Sequence, residues 1–436
     1  MRSQVLAMAG ALAIVLSTVS IEQSGPWAAK GGPGSTTVPN TNSTRVIVGW
    51  KANIPPNDTR IQDYCGVVNT TQNELLFTVV TITSGHTQTG CVNQLRTYSD
   101  IRYAVPDGYL RPLFVPNDPL YNDFQWDMRQ IRAEAAWDIT QSSPVRIGVI
   151  DTGAFCTHPD LVVNCNPVAP AVSADDCGHG THVAGTIAAG LNNGLYVAGL
   201  QNVEIRPYLA LPIVFPGAGC GHGLISLGAL AIMQAKDAGM KIISMSWGAV
   251  DPTCAGDPLG PFCTPLEDAI KSASDAGILL IAAAGNEGEG DGHMFYPALY
   301  SQVIAVSSTN EADVRSSFSS YGTKVEISAP GSNITSTMAP GAYYEDCNPE
   351  PCKCPRLGLT CMLNGTSMAT PHVAGVAAMI WAKCIFLSRD TVRSILQSGT
   401  TDLGSPGRDP DFGFGRIDAK KALDLTPGQG QAGCHI

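Results

Sequence analysis

The sequence predicts an α/β protein with a mostly parallel sheet between layers of helices, preceded by a small α+β unit. The main observation is that strongly apolar segments of strand length alternate with helix-like segments between residues 145 and 309. This alternation is typical of a parallel sheet that is covered on both faces. A second observation is that a shorter region before residue 113 has strands and a helix of its own. The length of 436 residues is compatible with two or three domains.

The first 20 residues are predicted to be a secretory signal peptide. Arg2 precedes an apolar run from Val5 to Val19, which at about 15 residues is too short for a membrane span. A buried N-terminal helix is the alternative interpretation. Residues 21–44 are rich in Gly, Pro, Ser, Thr and Asn, which predicts a flexible linker. Because no second apolar run is long enough to span a bilayer, we expect a secreted, extracellular protein without a membrane anchor.

Residues 45–112 are predicted to form the small α+β unit. The unit ends in the turn-rich sequence DGYLRPLFVPNDP, and we place the larger domain at residues 113–436. The segments that predict the strands of the small unit are 45–51, 74–82 and 101–107, and the segment that predicts its helix is 92–100.

The larger domain contains the alternating segments. In parallel sheets, functional groups collect at the carboxyl ends of the strands. The loops after Ile150, Trp247 and Ala284 are therefore expected to carry the site. The predicted strands are 145–151, 241–247, 277–285 and 302–309, and the predicted helices are 180–190, 224–239 and 264–277.

Charge and cysteine content limit the class of protein. The formal net charge of −11 is unfavourable for binding nucleic acid or an anionic membrane surface. The fourteen cysteines form an even set, which in an exported chain predicts a disulfide framework. The segment 344–363 holds four of them and is predicted to be a cysteine-rich insertion that forms a stapled surface loop. Its cysteines lack the paired spacing of a zinc site.

Four polar residues lie where the predicted strands and helices begin or end. Asp151 ends a strand, His179 begins a helix, Asn286 follows a strand, and Ser367 lies at the start of an apolar helical segment. An aspartate can orient a histidine, the histidine can take the serine proton, and an amide can stabilise an oxyanion. Each motif alone has a structural alternative: a turn aspartate, a metal-binding HxxH-like pair, or a common Gly-Asn turn.

Taken together, the motifs resemble those of the subtilisin-like serine proteases (subtilases), from about Pro116 to Leu425. The order Asp, His, Ser is the order of that family. The resemblance implies a subtilisin-like three-layer fold and a secreted serine endopeptidase that acts on proteins or peptides as a monomer. The motifs are VIDTG, HPDL, GHGTHVAGTIAA, AAAGNEG, YPALY, SSYG, SAPG and GTSMATPHVAG.

The resemblance also implies the role of each catalytic residue. Asp151 matches the orienting acid, His179 the general base, Ser367 the nucleophile, and Asn286 the oxyanion amide. His182 is then a buried helix residue, and Pro371 is expected in the first turns of its helix, where a missing N–H has least effect. A catalytically silent binding protein on the same fold is one alternative function, and an esterase or transpeptidase is another.

Substrate contacts are assigned by the same resemblance. One edge strand pairs with the peptide, a facing loop forms the opposite edge, and a wall and floor form the first specificity pocket. Phe295 stands where the family often has a small residue, which favours medium-sized substrate side chains. An exposed loop histidine is the alternative interpretation of His222. The residues are Ser246, Trp247 and Gly248; Gly221, His222 and Gly223; Ala283, Ala284, Gly285 and Glu287; and Phe295.

The small unit, 45–112, resembles the inhibitory propeptide of the family. This resemblance implies a zymogen that cleaves itself between about Val105 and Asn117 and is inhibited by its own propeptide. The sequence there is rich in turn residues, as expected of a segment that enters a cleft.

A structural calcium ion is also implied by the resemblance. Two carboxylates, one amide oxygen and three backbone carbonyls make about six hard oxygen donors. The alternative is that Asp160 caps a turn and Asn193 lies in a solvated loop. Gly194 and Tyr196 depart from the family loop. The implied ligands are Asp118, Asp160 and Asn193, with the carbonyls of Leu191, Leu195 and Val197.

Covalent modifications complete the sequence predictions. The resemblance implies a Cys177–Cys220 disulfide, and the local pairs Cys156–Cys165, Cys254–Cys263 and Cys65–Cys91 are predicted from proximity in the sequence. Five Asn-x-Ser/Thr sequons are present. Asn364 is expected to stay unmodified because it adjoins the nucleophile. The other sequons are Asn42, Asn57, Asn69 and Asn333.

Overall fold

The chain forms two compact units that divide between Leu110 and Arg111. The predicted signal peptide, nearly all of the linker and most of the cysteine-rich segment lie outside the described residues. No helix in the part of the chain that is described is long and apolar enough to cross a membrane. The structure is a computed structural model that describes residues 44–55, 58–107, 114–169, 175–212, 221–249, 264–290, 293–342 and 358–435.

The first unit is a four-stranded antiparallel sheet with two helices. The strand order is β2-β3-β1-β4, the arrangement of a β-α-β-β-α-β split motif. Val46 and Val48 of β1 lie on either side of the partly exposed Ile47 and are fully buried against Ile61 and Leu95 of the two helices. The elements are β1 Arg45–Trp50, α1 Thr59–Tyr64, β2 Gly66–Gln72, β3 Phe77–Ile82, α2 Gln88–Leu95 and β4 Ile101–Pro106.

The prediction for this unit missed α1 and β2 and misplaced α2. The helix α1 has a single buried residue, Ile61, so it shows no helical periodicity. The strand β2 is an edge strand in which only the first residue is buried, so it lacks the alternating pattern of a half-buried strand. The helix α2 begins earlier than predicted because the Thr87 hydroxyl caps it by accepting from Gly90 N at 3.0 Å.

The second unit is built around an eight-stranded sheet of order β13-β14-β10-β9-β8-β7-β5-β6, in which only the β13–β14 pair is antiparallel. A separate two-stranded sheet pairs β11 with β12. The elements are α3 Tyr121–Phe124, α4 Trp126–Gln130, α5 Ala133–Trp137, β5 Ser142–Asp151, α6 His179–Ala188, β6 Asn202–Leu209, α7 Ile225–Asp237, β7 Ile242–Met245, α8 Thr264–Asp275, β8 Leu279–Ala283, β9 Val303–Thr309, β10 Val325–Pro330, β11 Ile334–Thr337, β12 Thr360–Leu363, α9 Thr366–Lys383, α10 Arg389–Ser398, β13 Thr400–Thr401, β14 Arg416–Ile417 and α11 Ala419–Leu425.

Helices cover both faces of this sheet and confirm the predicted three-layer α/β fold. On one face, α6 and α9 share a core with the strands, and α9 is buried from Thr366 to Trp381. On the other face, α7 and α8 pack on the opposite side chains of the same strands. The strand β6 was not predicted, because as an edge strand it exposes Glu204 and Arg206 in part.

Disulfides join several of these elements. The predicted pairs Cys65–Cys91 and Cys156–Cys165 are confirmed. A third pair, Cys384–Cys434, ties the end of α9 to the C-terminal segment and was not predicted. Cys177 and Cys361 are also disulfide-bonded. The predicted partner of Cys177, Cys220, and the predicted pair Cys254–Cys263 lie outside the described residues.

Candidate active site

The predicted acid and base meet at the carboxyl edge of the large sheet. Asp151 is the last residue of β5, and His179 is the first residue of α6. His179 Nδ1 lies 2.7 Å from Asp151 Oδ1, and the two side chains are nearly or fully buried. The same carboxylate oxygen accepts a bond from Thr152 N at 2.8 Å. The carboxylate therefore fixes which nitrogen of the imidazole carries a proton, because only an Nδ1–H can donate to it.

Ser367 lies one residue inside α9 and faces the same cleft as His179. Its hydroxyl donates to the carbonyl oxygen of Ser246 at 2.8 Å. In return, the hydroxyl of Ser246 donates to the carbonyl oxygen of Ser367, also at 2.8 Å. The nucleophile candidate is thus held by a reciprocal pair of bonds to the segment that follows β7.

Pro371 explains why this reciprocal pair is needed. It lies inside α9, five residues after Thr366, in the second turn of the helix, which agrees with the prediction that it falls in the first turns. In a regular helix the N–H of residue 371 would donate to the carbonyl of Ser367, but proline has no N–H. The Ser246 hydroxyl satisfies that carbonyl instead. The missing N–H therefore leaves a carbonyl without its helical donor, and the side chain of Ser246, in the segment after β7, replaces that donor.

Asn286 is positioned by the residue before the serine. Its Oδ1 accepts from both the backbone N and the hydroxyl of Thr366, at 2.9 Å each. The amide nitrogen remains as a donor on the cleft side, and a Cβ placed on Gly365 would lie 3.5 Å from it. Gly365 has a φ of 155°, a conformation that other residues rarely adopt. The cleft therefore has a donor beside the N-terminus of α9, where partial positive charge accumulates.

The cleft extends from these residues toward α7. It has a volume of about 280 Å³, and its far end is apolar. Trp247 lies there with its Nε1 donating to the carbonyl of Ile150 at 2.8 Å. A Cβ on Gly228 would lie 2.8 Å from the indole, so the ring occupies the space that a larger residue would fill. Its walls bring together the predicted residues Gly221, His222, Gly223, Ser246, Trp247 and Gly248, and the unpredicted residues Leu224, Ile225, Gly228 and Leu266.

The other predicted substrate residues lie beside this cleft. Ala283 and Ala284 are buried, so only their backbone is available to a substrate. Gly285 N donates to the hydroxyl of Thr366 at 3.2 Å. Phe295 packs against Gly248 and Gly285, since a Cβ on either glycine would meet its side chain within 3.2 Å. Glu287 is exposed.

His182 is the structural histidine that the sequence predicted. Its ring is fully buried, and its Nε2 contacts the carbonyls of Ile334 and Cys361 at 3.0 and 3.1 Å. Burial lowers the pKa of His182 to about 3. It is therefore neutral at physiological pH and joins α6 to β11 and β12.

The residues predicted to bind calcium are close together. Asp160 is fully buried and accepts from Asn193 Nδ2 at 2.7 Å and from Val197 N at 3.0 Å. Asp118 is 3% exposed and accepts from the backbone N of Asn192 and Asn193 at 2.9 and 3.2 Å. Burial, aided by the charge of Asp118, raises the pKa of Asp160 to about 7. Burial also raises the pKa of Asp118.

The carboxylates of Asp118 and Asp160 are chemically suited to binding a hard cation. When both are ionised, the two buried carboxylates repel one another, and the pKa of each is above its usual range. No cluster of three or more His, Cys, Asp or Glu side chains occurs among the described residues, so further donors would be amide and carbonyl oxygens. Asn193 directs its amide nitrogen at Asp160, and it would present its oxygen to a cation only after its amide turns over. Calcium accepts mixed oxygen donors of this type.

Sequence reasoning missed Asp175 and Thr152, which lie beside the acid and base. Asp175 precedes α6 and bonds to the backbone N of Gly178 and Thr181 at 2.8 Å each. The helix-start signal of an acidic N-cap does not single out Asp175, because the N-cap position of α6 is Gly178, three residues later.

Comparisons with known proteins identify the family of the chain. Residues 142–415 match the subtilase family. Subtilisin Savinase from Lederbergia lenta is 37% identical over 302 residues, covering 68% of this chain and 97% of that protein. Thermitase from Thermoactinomyces vulgaris is 34% identical over 315 residues, covering 71% of this chain and 99% of that protein.

Solved structures show the same fold. A protease from Pseudoalteromonas arctica PAMC 21717 is 28% identical with a TM-score of 0.59, covering 72% of this chain and all of that one. A lanthipeptide protease, at 24% identity and a TM-score of 0.61, covers 73% of this chain and all of that one, and is similar in fold. The chain therefore belongs to the subtilase family and is a subtilisin-like serine endopeptidase.

Proposed function

We propose that Ser367 attacks the scissile carbonyl of a peptide and that His179 removes its proton. The observation that carries this proposal is the 2.7 Å contact between His179 Nδ1 and Asp151 Oδ1 on a cleft that Ser367 also lines. Because Nδ1 donates to the carboxylate, Nε2 is the basic nitrogen. The Ser367 hydroxyl donates to Ser246 O in the structure, so its proton turns toward Nε2 before the attack.

The reaction then follows the two-step course of an acyl-enzyme. Attack by Ser367 Oγ forms a tetrahedral intermediate and leaves a proton on His179. His179 gives this proton to the departing amine, and the C–N bond breaks. A water molecule then attacks the ester with His179 again as base, which releases the acid and restores Ser367. Asp151 remains ionised and stabilises the imidazolium.

Asn286 and the backbone of Ser367 are proposed to bind the oxyanion. The Asn286 amide cannot turn freely, because Thr366 holds its oxygen with two bonds. Its nitrogen is thereby directed at the cleft before any substrate binds. Donors that are already in place stabilise the developing charge without a reorganisation cost.

The cleft supports a preference for extended peptides with apolar side chains. Ser246, Trp247 and Gly248 follow β7 and offer backbone groups along one side. Trp247, Leu224 and Ile225 make the far end apolar. Phe295 lies under Gly248 and Gly285, which limits the depth available next to the scissile bond. We propose medium-sized side chains at that position.

The first unit is proposed to be an inhibitory propeptide of a secreted zymogen. It is a compact unit with its own core around Val46, Val48 and Val80, as expected for a part that separates from the enzyme. The disulfides of the described residues are typical of exported chains. Phe114 packs edge-on against Trp137 at 5.9 Å, so we place the cut before residue 114.

Self-cleavage is tested by expressing the chain with Ser367→Ala in a host that lacks a suitable protease. The variant should remain the full-length precursor, whereas the unaltered chain should yield a shorter product with a new N-terminus between residues 106 and 114. Cleavage of the variant by itself at the same bond would contradict self-processing.

Calcium is proposed to bind at Asp118 and Asp160, with Asn193 and the carbonyls of Leu191, Leu195 and Val197 as further ligands. The ion would supply positive charge to two buried carboxylates. The surrounding chain is already joined: Gly194 N donates to Asn117 Oδ1 at 2.8 Å, and Leu120 N to Tyr196 O at 2.9 Å. Bound calcium would therefore hold the start of the second unit against the loop after α6.

N-glycosylation is proposed at Asn69 and Asn333, which are exposed. Asn42 and Asn57 lie outside the described residues. Asn364 is exposed but accepts a bond from Asn333 N at 2.7 Å, three residues before Ser367. A glycan there would crowd the cleft, so active molecules should lack it. Mapping of glycopeptides from active enzyme tests this assignment.

A further inference from the structure

Asp175 is a buried carboxylate that the reaction just described does not use. It precedes α6 and is 4% exposed. Its Oδ1 accepts from Gly178 N and from the Thr152 hydroxyl, at 2.8 Å each. Its Oδ2 accepts from the N and the hydroxyl of Thr181, at 2.8 and 2.6 Å. All four of these groups donate a hydrogen bond, so both oxygens of the side chain at position 175 must be acceptors.

The two hydroxyls extend this network to a second element. The Thr152 hydroxyl also accepts from Gly180 N at 2.9 Å, and the Thr181 hydroxyl accepts from Phe155 N at 2.9 Å. Thr152 and Phe155 belong to the loop after β5, whereas Gly180 and Thr181 belong to the first turn of α6. Asp175 therefore ties that loop to that turn.

The acid and base of the proposed mechanism lie inside this network. Asp151 directly precedes Thr152, whose N–H donates to the Asp151 carboxylate at 2.8 Å. His179 lies between Gly178, which bonds to Asp175, and Gly180, which bonds to Thr152. The distance between the carboxylate and the imidazole is thus set by the same two segments that Asp175 joins.

We propose that Asp175 is a positioning residue that keeps the carboxylate of Asp151 and the imidazole of His179 at the distance that catalysis requires. This inference rests on the proposed roles of those two residues. Burial raises the pKa of Asp175, and the bonds from Thr181, Thr152 and Gly178 oppose that shift. Small displacements matter here, because a misplacement of about 1 Å can reduce a rate about 100-fold.

The test replaces the acceptor and one of its partners in the active enzyme obtained from the full chain. In Asp175→Asn, an NH2 group replaces one oxygen and faces an N–H donor of Gly178 or Thr181. We expect kcat to fall about 10- to 100-fold while KM changes by less than about threefold. Thr152→Val, which loses the hydroxyl, should act in the same direction. Thr152→Ser, which keeps it, should restore most of kcat.

Asp409→Asn is the matched control for lost stability. Asp409 also accepts three backbone bonds, from Ser405, Asp411 and Phe412 at 2.8–3.0 Å. It lies beside β10, four strands away from β5 in the sheet. This variant should lower the unfolding temperature and leave kcat unchanged. A purely structural role for Asp175 would give the same result as this control.

Two results would overturn the inference: an unchanged kcat in Asp175→Asn, or equal kcat values for Thr152→Val and Thr152→Ser. If Asp175→Asn does not fold, the two Thr152 variants decide the matter. Labelling by a fluorophosphonate separates this inference from the mechanism itself. If Ser367 is labelled in the unaltered enzyme but Asp175→Asn turns over normally, the positioning role is wrong and the proposed mechanism stands.

Discussion

The pairing of Ser246 with Ser367 predicts an energetic coupling between Ser246 and Pro371. The Ser367 carbonyl is buried, and the Ser246 hydroxyl occupies the place of the N–H that Pro371 lacks. Leaving a buried carbonyl unsatisfied costs about 1–3 kcal/mol. Ser246→Ala should therefore lower the free energy of unfolding by that amount.

The same substitution should cost little when residue 371 has an N–H. In Pro371→Ala, the new N–H can donate to the Ser367 carbonyl in the ordinary helical way. The coupling energy of the double-mutant cycle should then be about 1–3 kcal/mol. Pro371→Ala by itself should stabilise the helix, since proline costs about 3 kcal/mol in a helix interior.

The assay is chemical unfolding of four chains that all carry Ser367→Ala, which prevents autolysis and keeps the backbone carbonyl. Circular dichroism in the near ultraviolet follows the tertiary packing of aromatic side chains, and four of the six tryptophans lie in the second unit: Trp126, Trp137, Trp247 and Trp381. If Ser246→Ala costs the same in the chain that keeps Pro371 as in the chain that carries Pro371→Ala, the hydroxyl does not replace the missing N–H, and the argument is refuted.

Two further predictions concern the cleft and the cation site. Gly228→Ala should push the Trp247 indole toward the cleft, so KM should rise for long peptides with bulky apolar side chains while turnover of a short ester stays unchanged; equal effects on both substrates would argue against this layout. The pKa of Asp160 in the folded chain, about 7, lies above the ordinary 3.8. In the calcium-free, inactivated enzyme, the contribution of this group to the free energy of unfolding should therefore be fully present below about pH 4. This contribution, about 4 kcal/mol, should be lost as the pH rises from there through 7. Added calcium should abolish this loss, and thermal unfolding that is the same with calcium and with a chelator would remove the site.

The central strands and the residues of the candidate site could be predicted because their signals are local. Strands such as β8 are continuous apolar runs, and each functional group adjoins a strand end or a helix start within a few residues. Asp151, His179 and Ser367 follow this rule. The fold then brings them together, because the carboxyl ends of parallel strands share one edge of the sheet.

The features that the sequence did not predict depend on contacts between distant segments. Ser246 bonds to a residue 121 positions away, and no local pattern marks a hydroxyl that replaces a helical N–H. The fit of Trp247 to Gly228 is likewise visible only once α7 is packed. The elements α1 and β2 were missed for a different reason: each is short or exposed and buries too few residues to produce a periodic pattern of apolar residues in the sequence.

The most direct test of the proposed mechanism is to identify the residue that a fluorophosphonate modifies in the active enzyme. The reagent should form one adduct, on Ser367, and peptidase activity should fall in proportion to the adduct measured by mass spectrometry. Ser367→Ala should give neither adduct nor activity, and Asp151→Asn should be labelled far more slowly, because His179 would lose the carboxylate that orients it. An adduct on another serine, or peptidase activity retained by Ser367→Ala, would contradict the account.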